Sequence, residues 1–126
     1  MLIDTDVLIW YLRGNDTAKN AINNIPQPAI SAVTHMEILT GLHNKTELKS
    51  WKSFLRDYNF HHIPIDAEIT TKAVYWVEEF CLSHKLRMAD ALIAATANTC
   101  GLDLLTGNFN DYKFLPGLTI KIFKVH

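Results

Sequence analysis

Apolar positions along the chain follow two patterns: short apolar runs, and longer stretches in which apolar residues return every three to four positions. The short runs predict buried strands, and the longer stretches predict amphipathic helices. The predicted strands are residues 1–4, 29–31, 59–65, 103–106 and 118–123, and the predicted helices are residues 6–13, 16–25, 34–42, 45–58, 66–84 and 88–100. Because strands alternate with helices, we expect an α/β fold with a central, mostly parallel sheet of four to five strands, covered by helices on both faces.

Composition narrows the class of protein without naming a function. The chain has 126 residues, of which 48% are apolar and 20% charged, so we expect one globular domain over residues 1–126. A net charge of −1 does not exclude RNA, because an acidic site can offset local basic patches. The first apolar run is interrupted by Asp4 and Asp6, and no run approaches membrane-spanning length. We therefore expect a cytoplasmic protein.

Acidic residues from four distant segments are expected at one edge of the sheet. Asp4 ends the first strand, and Asp111 lies just beyond the fourth. Glu37 and Asp90 lie near the starts of helices that connect strands, and such helices begin beside the carboxyl ends of parallel strands. Asp103 precedes the fourth strand and is expected to lie at the opposite edge.

Carboxylates gathered in this way repel one another, by roughly 4 kcal/mol for unit charges about 4 Å apart at an effective dielectric constant of about 20. A hard divalent cation removes this cost, and an all-oxygen site without paired His or Cys suits Mg²⁺ or Mn²⁺. Such ions support phosphodiester hydrolysis. The acids therefore predict a metal-dependent nuclease in which Asp4, Glu37, Asp90 and Asp111 are both the metal ligands and the catalytic groups.

Each acid also has a structural interpretation. Glu37 follows Thr34 at the spacing of a capping box, Asp90 favours its helix start, and Asp111 is typical of a turn. Asp4 is the hardest to explain structurally, because a carboxylate that ends a buried strand needs a partner and no neighbouring Lys or Arg supplies one.

Other polar residues are candidates for supporting roles. We expect Asp6 to cap the first helix, with a place beside the metal as the alternative. Thr106 and Asn108, ranked ahead of Thr5 and Ser31, lie at the same predicted edge and can orient acids or phosphate. Arg87 precedes Asp90 by three residues and is a candidate for contact with a substrate phosphate.

A second group of basic residues is predicted on the fourth helix. Their spacing places them on one helix face, where they either follow an RNA backbone or form an ordinary solvated surface. These residues are Lys45, Lys49, Lys52 and Arg56.

Taken together, the acidic and polar residues resemble the PIN-domain ribonucleases, and most closely the VapC toxins of bacterial toxin–antitoxin pairs. The resemblance covers nearly the whole chain and depends on the order and spacing of several segments. They are residues 2–6 (LIDTD), residues 30–34 (ISAVT) leading to Glu37, residues 89–97 (ADALIAATA) and residues 105–112 (LTGNFNDY).

The resemblance implies an α/β/α sandwich, a Mg²⁺ or Mn²⁺ site, an RNA substrate, an antitoxin partner and a homodimer. Asp4, Glu37 and Asp90 match the family's central acids. Many relatives carry a fourth acid where this chain has Asn108, and others use the acid three residues later, here Asp111. We expect Asp111 to complete the site, with Asn108 assisting.

Two other functions remain open from the sequence. Asp4 and Asp6 also fit the Asp-x-Asp pair of a haloacid-dehalogenase-like phosphatase, with Asp4 as nucleophile and Asp6 as its acid–base partner. A later paired acidic motif and a cap domain are missing, and Glu37 has no role in that chemistry. The other alternative is a non-catalytic module that binds RNA or a partner protein.

Overall fold

The computed structural model describes residues 1–126 and confirms the α/β fold. Each predicted strand and helix is present, with ends shifted by a few residues. The strands are β1 (Leu2–Ile3), β2 (Ala29–Ser31), β3 (His61–Ile63), β4 (Leu104–Thr106) and β5 (Ile120–Ile122); the helices are α1 (Thr5–Leu12), α2 (Asp16–Asn23), α3 (Ala32–Thr40), α4 (Lys45–Asp57), α5 (Ala67–His84) and α6 (Met88–Thr99). A short 3₁₀ turn, Phe109–Asp111, follows β4. None of the helices has the length and apolar character that a membrane crossing requires.

All five strands belong to one parallel sheet in the order β3-β2-β1-β4-β5. The first strand is central, since Leu2 pairs with Ala29 of β2 and with Leu104 of β4. Because every strand runs the same way, the carboxyl ends share one edge of the sheet. We call it the carboxyl edge, where β1 leads into Asp4 and β4 ends at Thr106.

Successive residues of the central strands face opposite layers of helices. Leu2 and Leu104 belong to a core that includes buried residues of α5 and α6. Ile3 and Leu105 belong to a second core, packed against α1, α2 and α4. A strand buried on both faces has an apolar run rather than an alternating pattern, which is why these segments were recognisable in the sequence. The helices thus form the two outer layers of the predicted sandwich.

Two helix starts differ from the prediction because other residues cap them. The side chain of Asn15 caps α2, so Asp16 is the first helical residue and not the cap. Ser31 caps α3, and the helix begins directly after it. The capping-box alternative for Thr34 and Glu37 is therefore wrong, since both residues lie inside the helix.

Candidate metal centre

The carboxyl edge brings Asp4 and Thr106 side by side because β1 and β4 pair in parallel and end together. The backbone N–H of Asp4 donates to the carbonyl of Leu105 at 2.9 Å, so the ladder extends to the acid itself. At the opposite edge, the carbonyl of Asp103 accepts from the N–H of Leu2 at 2.8 Å. Asp4 and Asp103 therefore lie at opposite ends of the strand pair, as their positions in the sequence predicted.

Asp4 is almost completely buried, with 3% of its surface exposed. One carboxylate oxygen accepts the N–H of Thr5 at 2.8 Å and the other accepts the hydroxyl of Thr106 at 2.8 Å. Burial, reinforced by the nearby charge of Asp6, raises the pKa of Asp4 from 3.8 to about 7. Without a positive partner, this carboxylate is therefore only partly ionised at neutral pH.

Asp6 lies in the first turn of α1 and is not the cap of that helix. Asp4, the residue directly before α1, takes that role, so the capping prediction for Asp6 is wrong. One Asp6 oxygen accepts the N–H of Gly107 at 2.9 Å, and the other is buried without a hydrogen-bond partner. Burial raises the pKa of Asp6 as well. A buried oxygen left unpaired beside a second acid is a position that a cation would satisfy.

Gly107 allows Asp6 and the end of β4 to approach closely. A β-carbon at this position would lie 2.7 Å from an Asp6 carboxylate oxygen, closer than side chains tolerate. Only glycine therefore fits the observed arrangement without a shift of Asp6.

Asp90 is joined to both a cation and a buried hydroxyl. It lies in the first turn of α6, as predicted. One carboxylate oxygen accepts from the Arg87 guanidinium, at 3.3 Å from Nε and 3.2 Å from Nη2. The other oxygen accepts the hydroxyl of Tyr112 at 3.3 Å. Burial raises the pKa of Asp90, and the charge of Arg87 opposes that rise.

Tyr112 connects the two central acids. Its side chain is 1% exposed, and its hydroxyl also stabilises the Asp4 carboxylate by hydrogen bonding. Burial, together with the charges of Asp4 and Asp90, raises the pKa of Tyr112 far above its ordinary value. The hydroxyl therefore stays protonated and acts as a donor between acids that come from different ends of the chain.

Asp111 and Asn108 lie on either side of the 3₁₀ turn and differ in their contacts. Asp111 is exposed, and its charge is close enough to raise the pKa values of both Asp90 and Arg87. Asn108 donates its backbone N–H to the hydroxyl oxygen of Thr106 at 2.9 Å. Asp111 thus contributes charge near Asp90, whereas Asn108 orients the threonine that holds Asp4.

Glu37 is exposed and reaches the site through Thr5. It is the sixth residue of α3, one turn further along the helix than predicted. The hydroxyl of Thr5 donates to Glu37 Oε1 at 2.7 Å and lies 3.0 Å from the hydroxyl of Thr34. Since Thr5 directly follows Asp4, this bond holds Glu37 at the carboxyl edge.

The chemistry of these residues fits a hard divalent cation. All the donors are oxygens, Asp6 has an unpaired buried oxygen, and the pKa values of Asp4, Asp6 and Asp90 are raised. No three His, Cys, Asp or Glu residues lie close enough together to form a closed metal site. An open group of carboxylates suits Mg²⁺ or Mn²⁺, since Mg²⁺ keeps several waters and binds few protein ligands.

The predicted basic residues divide into two groups. Arg87 contacts an acid of the carboxyl edge, whereas Lys45, Lys49, Lys52 and Arg56 are exposed on α4 and make no hydrogen bond or ion pair with those acids. Arg56 instead contacts Ser53 at 3.2 Å and Asp57 at 3.7 Å.

Tyr112 and Gly107 were missed as individual functional residues. A tyrosine in an apolar segment predicts a core position, and nothing in the sequence indicates which acids its hydroxyl reaches. A glycine after a strand predicts a turn, and its contact with Asp6 joins residues that are 101 positions apart.

Comparisons with known proteins agree with this arrangement. The PIN domain family model matches residues 1–114. Ribonuclease VapC19 from Mycobacterium tuberculosis is 30% identical over 122 residues, covering 93% of this chain and 95% of that protein. Ribonuclease VapC10 from the same organism is 30% identical over 112 residues, covering 86% of this chain and 82% of that protein.

Solved structures show the same fold. A toxin–antitoxin complex from Klebsiella pneumoniae contains a chain that is 34% identical, with a TM-score of 0.75 and 94% of both chains covered. A DNA-bound VapBC complex from Salmonella typhimurium matches at a TM-score of 0.85, with 21% identity and 98% of this chain and 97% of that chain covered. The resemblance found in the sequence is confirmed: this chain belongs to the PIN domain family.

Proposed function

We propose that this chain is a metal-dependent endoribonuclease and the toxin of a toxin–antitoxin pair. One observation carries the proposal: buried Asp4 at the end of β1 is tied through Tyr112 to Asp90, and no Lys or Arg pairs with Asp4. Burying a carboxylate in this way costs stability, so a purely structural role does not explain it. The VapC relatives are ribonucleases, which supports RNA as the substrate.

In the proposed site, the acids are ligands and not nucleophiles. Asp4 and Asp90 are the central ligands, and Glu37 and Asp111 complete the set from α3 and the 3₁₀ turn. The Thr5 N–H and the Thr106 hydroxyl fix the two oxygens of Asp4 and so set its orientation. Asp6 supports this group from α1 while the Gly107 N–H holds its side chain in place.

The proposed ion is Mg²⁺ or Mn²⁺. When bound, it would lower the pKa of a water molecule and neutralise charge on the scissile phosphate. Arg87 lies at the same edge with 75% of its side chain exposed, and Asp90 holds its guanidinium. Its free N–H groups are placed to bind a substrate phosphate and orient it toward the acids.

We also propose an antitoxin protein as partner and a homodimer as the functional unit. The antitoxin is supported by the Klebsiella pneumoniae structure, a toxin–antitoxin complex with 34% identity to this chain. The homodimer follows from the resemblance, and light scattering on the purified protein tests it. A mass of one 14.3 kDa chain at micromolar concentration would refute the dimer.

The test of the activity is RNA cleavage with Mg²⁺ or Mn²⁺ and with a chelator, for the wild-type protein and for Asp90→Asn. Asparagine keeps the shape of the side chain and an oxygen for the Tyr112 hydroxyl, but it removes the charge. We expect cleavage only by the wild type and only with metal. Asp103→Asn, at the opposite edge of the sheet, is the matched control and should cleave normally. Cleavage that survives in Asp90→Asn or with chelator would refute the proposal.

The same assays separate the alternatives raised by the sequence. Hydrolysis of a small phosphate monoester without RNA cleavage, lost in Asp6→Asn, would indicate the phosphatase. RNA binding without turnover, with a melting temperature that ignores millimolar Mg²⁺ and Mn²⁺, would indicate a non-catalytic module.

A further inference from the structure

A second concave surface lies between α3, α4 and β3, away from the acids of the carboxyl edge. It has a volume of about 250 Å³, and no Asp or Glu lines it. Its polar lining comes from His35 on α3, Lys52 and Arg56 on α4, Asn59 after α4 and His62 on β3. We call this surface the basic pocket.

His35 is held in one tautomer at the wall of the basic pocket. Its Nδ1 accepts the indole N–H of Trp51 at 3.0 Å, and Trp51 is 1% exposed. The proton of the neutral ring is therefore on Nε2, which remains as a donor. Burial, together with the charges of His62 and Lys52, lowers the pKa of His35 and keeps it in this neutral form.

Donors and positive charge gather around His35 without a negative partner in the pocket lining. The ring of His62 lies edge-on to that of His35, with ring centres 5.6 Å apart. Lys52 is exposed, and its charge reaches His35. Arg56 contacts Asp57 at 3.7 Å, but both side chains are largely exposed, so this pair is weak and leaves guanidinium N–H groups free. Such a group attracts an anion, as the carboxyl edge attracts a cation.

The fourth helix extends this positive surface beyond the basic pocket. A shallow cavity of about 420 Å³ is lined by Lys45, Lys49, Lys52 and Arg56, and it shares the last two residues with the basic pocket. A row of cations that runs along a helix and ends in a pocket of donors matches a chain of phosphates better than a single small anion.

The third helix separates the basic pocket from the acids. His35 and Glu37 are two positions apart on α3, which places their side chains on nearly opposite sides of the helix. A ligand in the basic pocket therefore contacts none of the four acids, so this surface contributes affinity and not chemistry.

We propose that the basic pocket binds a backbone phosphate of the RNA substrate, with Lys52, Arg56, His62 and the Nε2–H of His35 as its donors. This inference rests on the proposed ribonuclease function, and it adds a place where the substrate is held outside the metal centre. The RNA then extends along α4 past Lys49 and Lys45.

The test is binding of a fluorescein-labelled, 2′-O-methylated single-stranded RNA in the presence of chelator, measured by anisotropy over a range of salt concentrations. The variant is Lys52→Gln/Arg56→Gln, and the charge-matched control is Lys85→Gln/Lys124→Gln, which alters exposed residues outside the pocket. We expect weaker binding by the pocket variant, with the slope of log K against log salt reduced by about 1.4, because each phosphate contact on a single strand contributes about 0.7. His62→Gln should weaken binding without changing the slope at a pH where His62 is neutral.

Equal affinity and equal slope for the pocket variant and the control would overturn the proposal. Inorganic phosphate, titrated into the RNA complex, distinguishes a backbone phosphate from a free anion. We expect it to compete only at concentrations that screen charge in general, and displacement of RNA by micromolar phosphate would overturn the RNA assignment.

Cleavage kinetics separate this inference from the proposed function. We expect the pocket variant to raise KM for RNA and leave kcat unchanged. A lower kcat with unchanged KM would overturn the assignment of the pocket to substrate affinity. An absence of cleavage by the wild type would instead refute the ribonuclease, while the anisotropy result would still decide whether the pocket binds RNA.

Discussion

Asp4→Asn should stabilise the metal-free protein at neutral and alkaline pH. Asp4 is 3% exposed, and its pKa rises from 3.8 to about 7 in the folded state, mainly through burial. A difference of this size corresponds to about 4 kcal/mol of lost stability when the carboxylate is ionised. That is a large part of the roughly 5–15 kcal/mol that holds a domain folded. Asparagine removes the charge and still accepts the Thr5 N–H.

The sign follows from which state holds the proton. Below pH 3.8 the Asp4 carboxyl is protonated in both the folded and the unfolded state, so its ionisation has no effect. Between pH 3.8 and about 7, only the folded state keeps the proton, and the free energy of unfolding falls as pH rises. Above that window the whole cost is present. The advantage of Asp4→Asn should therefore grow from near zero to as much as about 4 kcal/mol.

The assay is urea denaturation in the presence of chelator across this pH window, for the wild type, Asp4→Asn and the control Asp103→Asn. Curves of unfolding free energy against pH that run parallel for wild type and Asp4→Asn would refute the reasoning. Adding Mn²⁺ at alkaline pH should stabilise the wild type and have little effect on Asp4→Asn, since the ion neutralises a charge that the variant lacks.

Three further substitutions test the surroundings of the acids. Gly107→Ala places a β-carbon 2.7 Å from an Asp6 oxygen, so the carboxylate must move, and we expect at least about tenfold slower RNA cleavage; wild-type rates would contradict this. Tyr112→Phe removes the hydroxyl from Asp90 and should weaken Mn²⁺ binding by about tenfold in calorimetry, an effect that a merely space-filling tyrosine would not show. Arg87→Gln should raise KM for RNA while changing stability by less than about 1 kcal/mol in urea, because its ion pair is largely exposed on the arginine side; an unchanged KM would count against phosphate contact.

The fold could be predicted from the sequence because the strands are buried on both faces. Such strands leave apolar runs, and the helices between them leave a regular spacing of apolar residues. The order of the strands could not be predicted, since nothing local indicates that β1 lies between β2 and β4. Helix starts were also missed, because Asn15 and Ser31 compete as caps with nearby Asp16 and Thr34, and the backbone conformation decides between them.

The acids could be predicted because each one follows a strand or begins a helix at the same edge. Their mutual contacts could not be predicted. The Tyr112 hydroxyl reaches Asp90 across 22 positions, and the Gly107 N–H reaches Asp6 across 101, so both bonds depend on the packing of whole elements. The exchange of roles between Asp4 and Asp6 has the same origin, since α1 begins one residue earlier than expected and takes Asp4 as its cap.

The most direct test of the account is which backbone amide signals are broadened in the NMR spectrum by substoichiometric Mn²⁺. Acids from distant segments that share one cation should place the amides of Thr5, Gly107 and Asp90 close to it together. We predict that these three signals weaken in the same titration while that of Asp103, at the opposite edge, stays sharp. Broadening at Thr5 without Asp90, or no selective broadening at all, would contradict a shared metal centre.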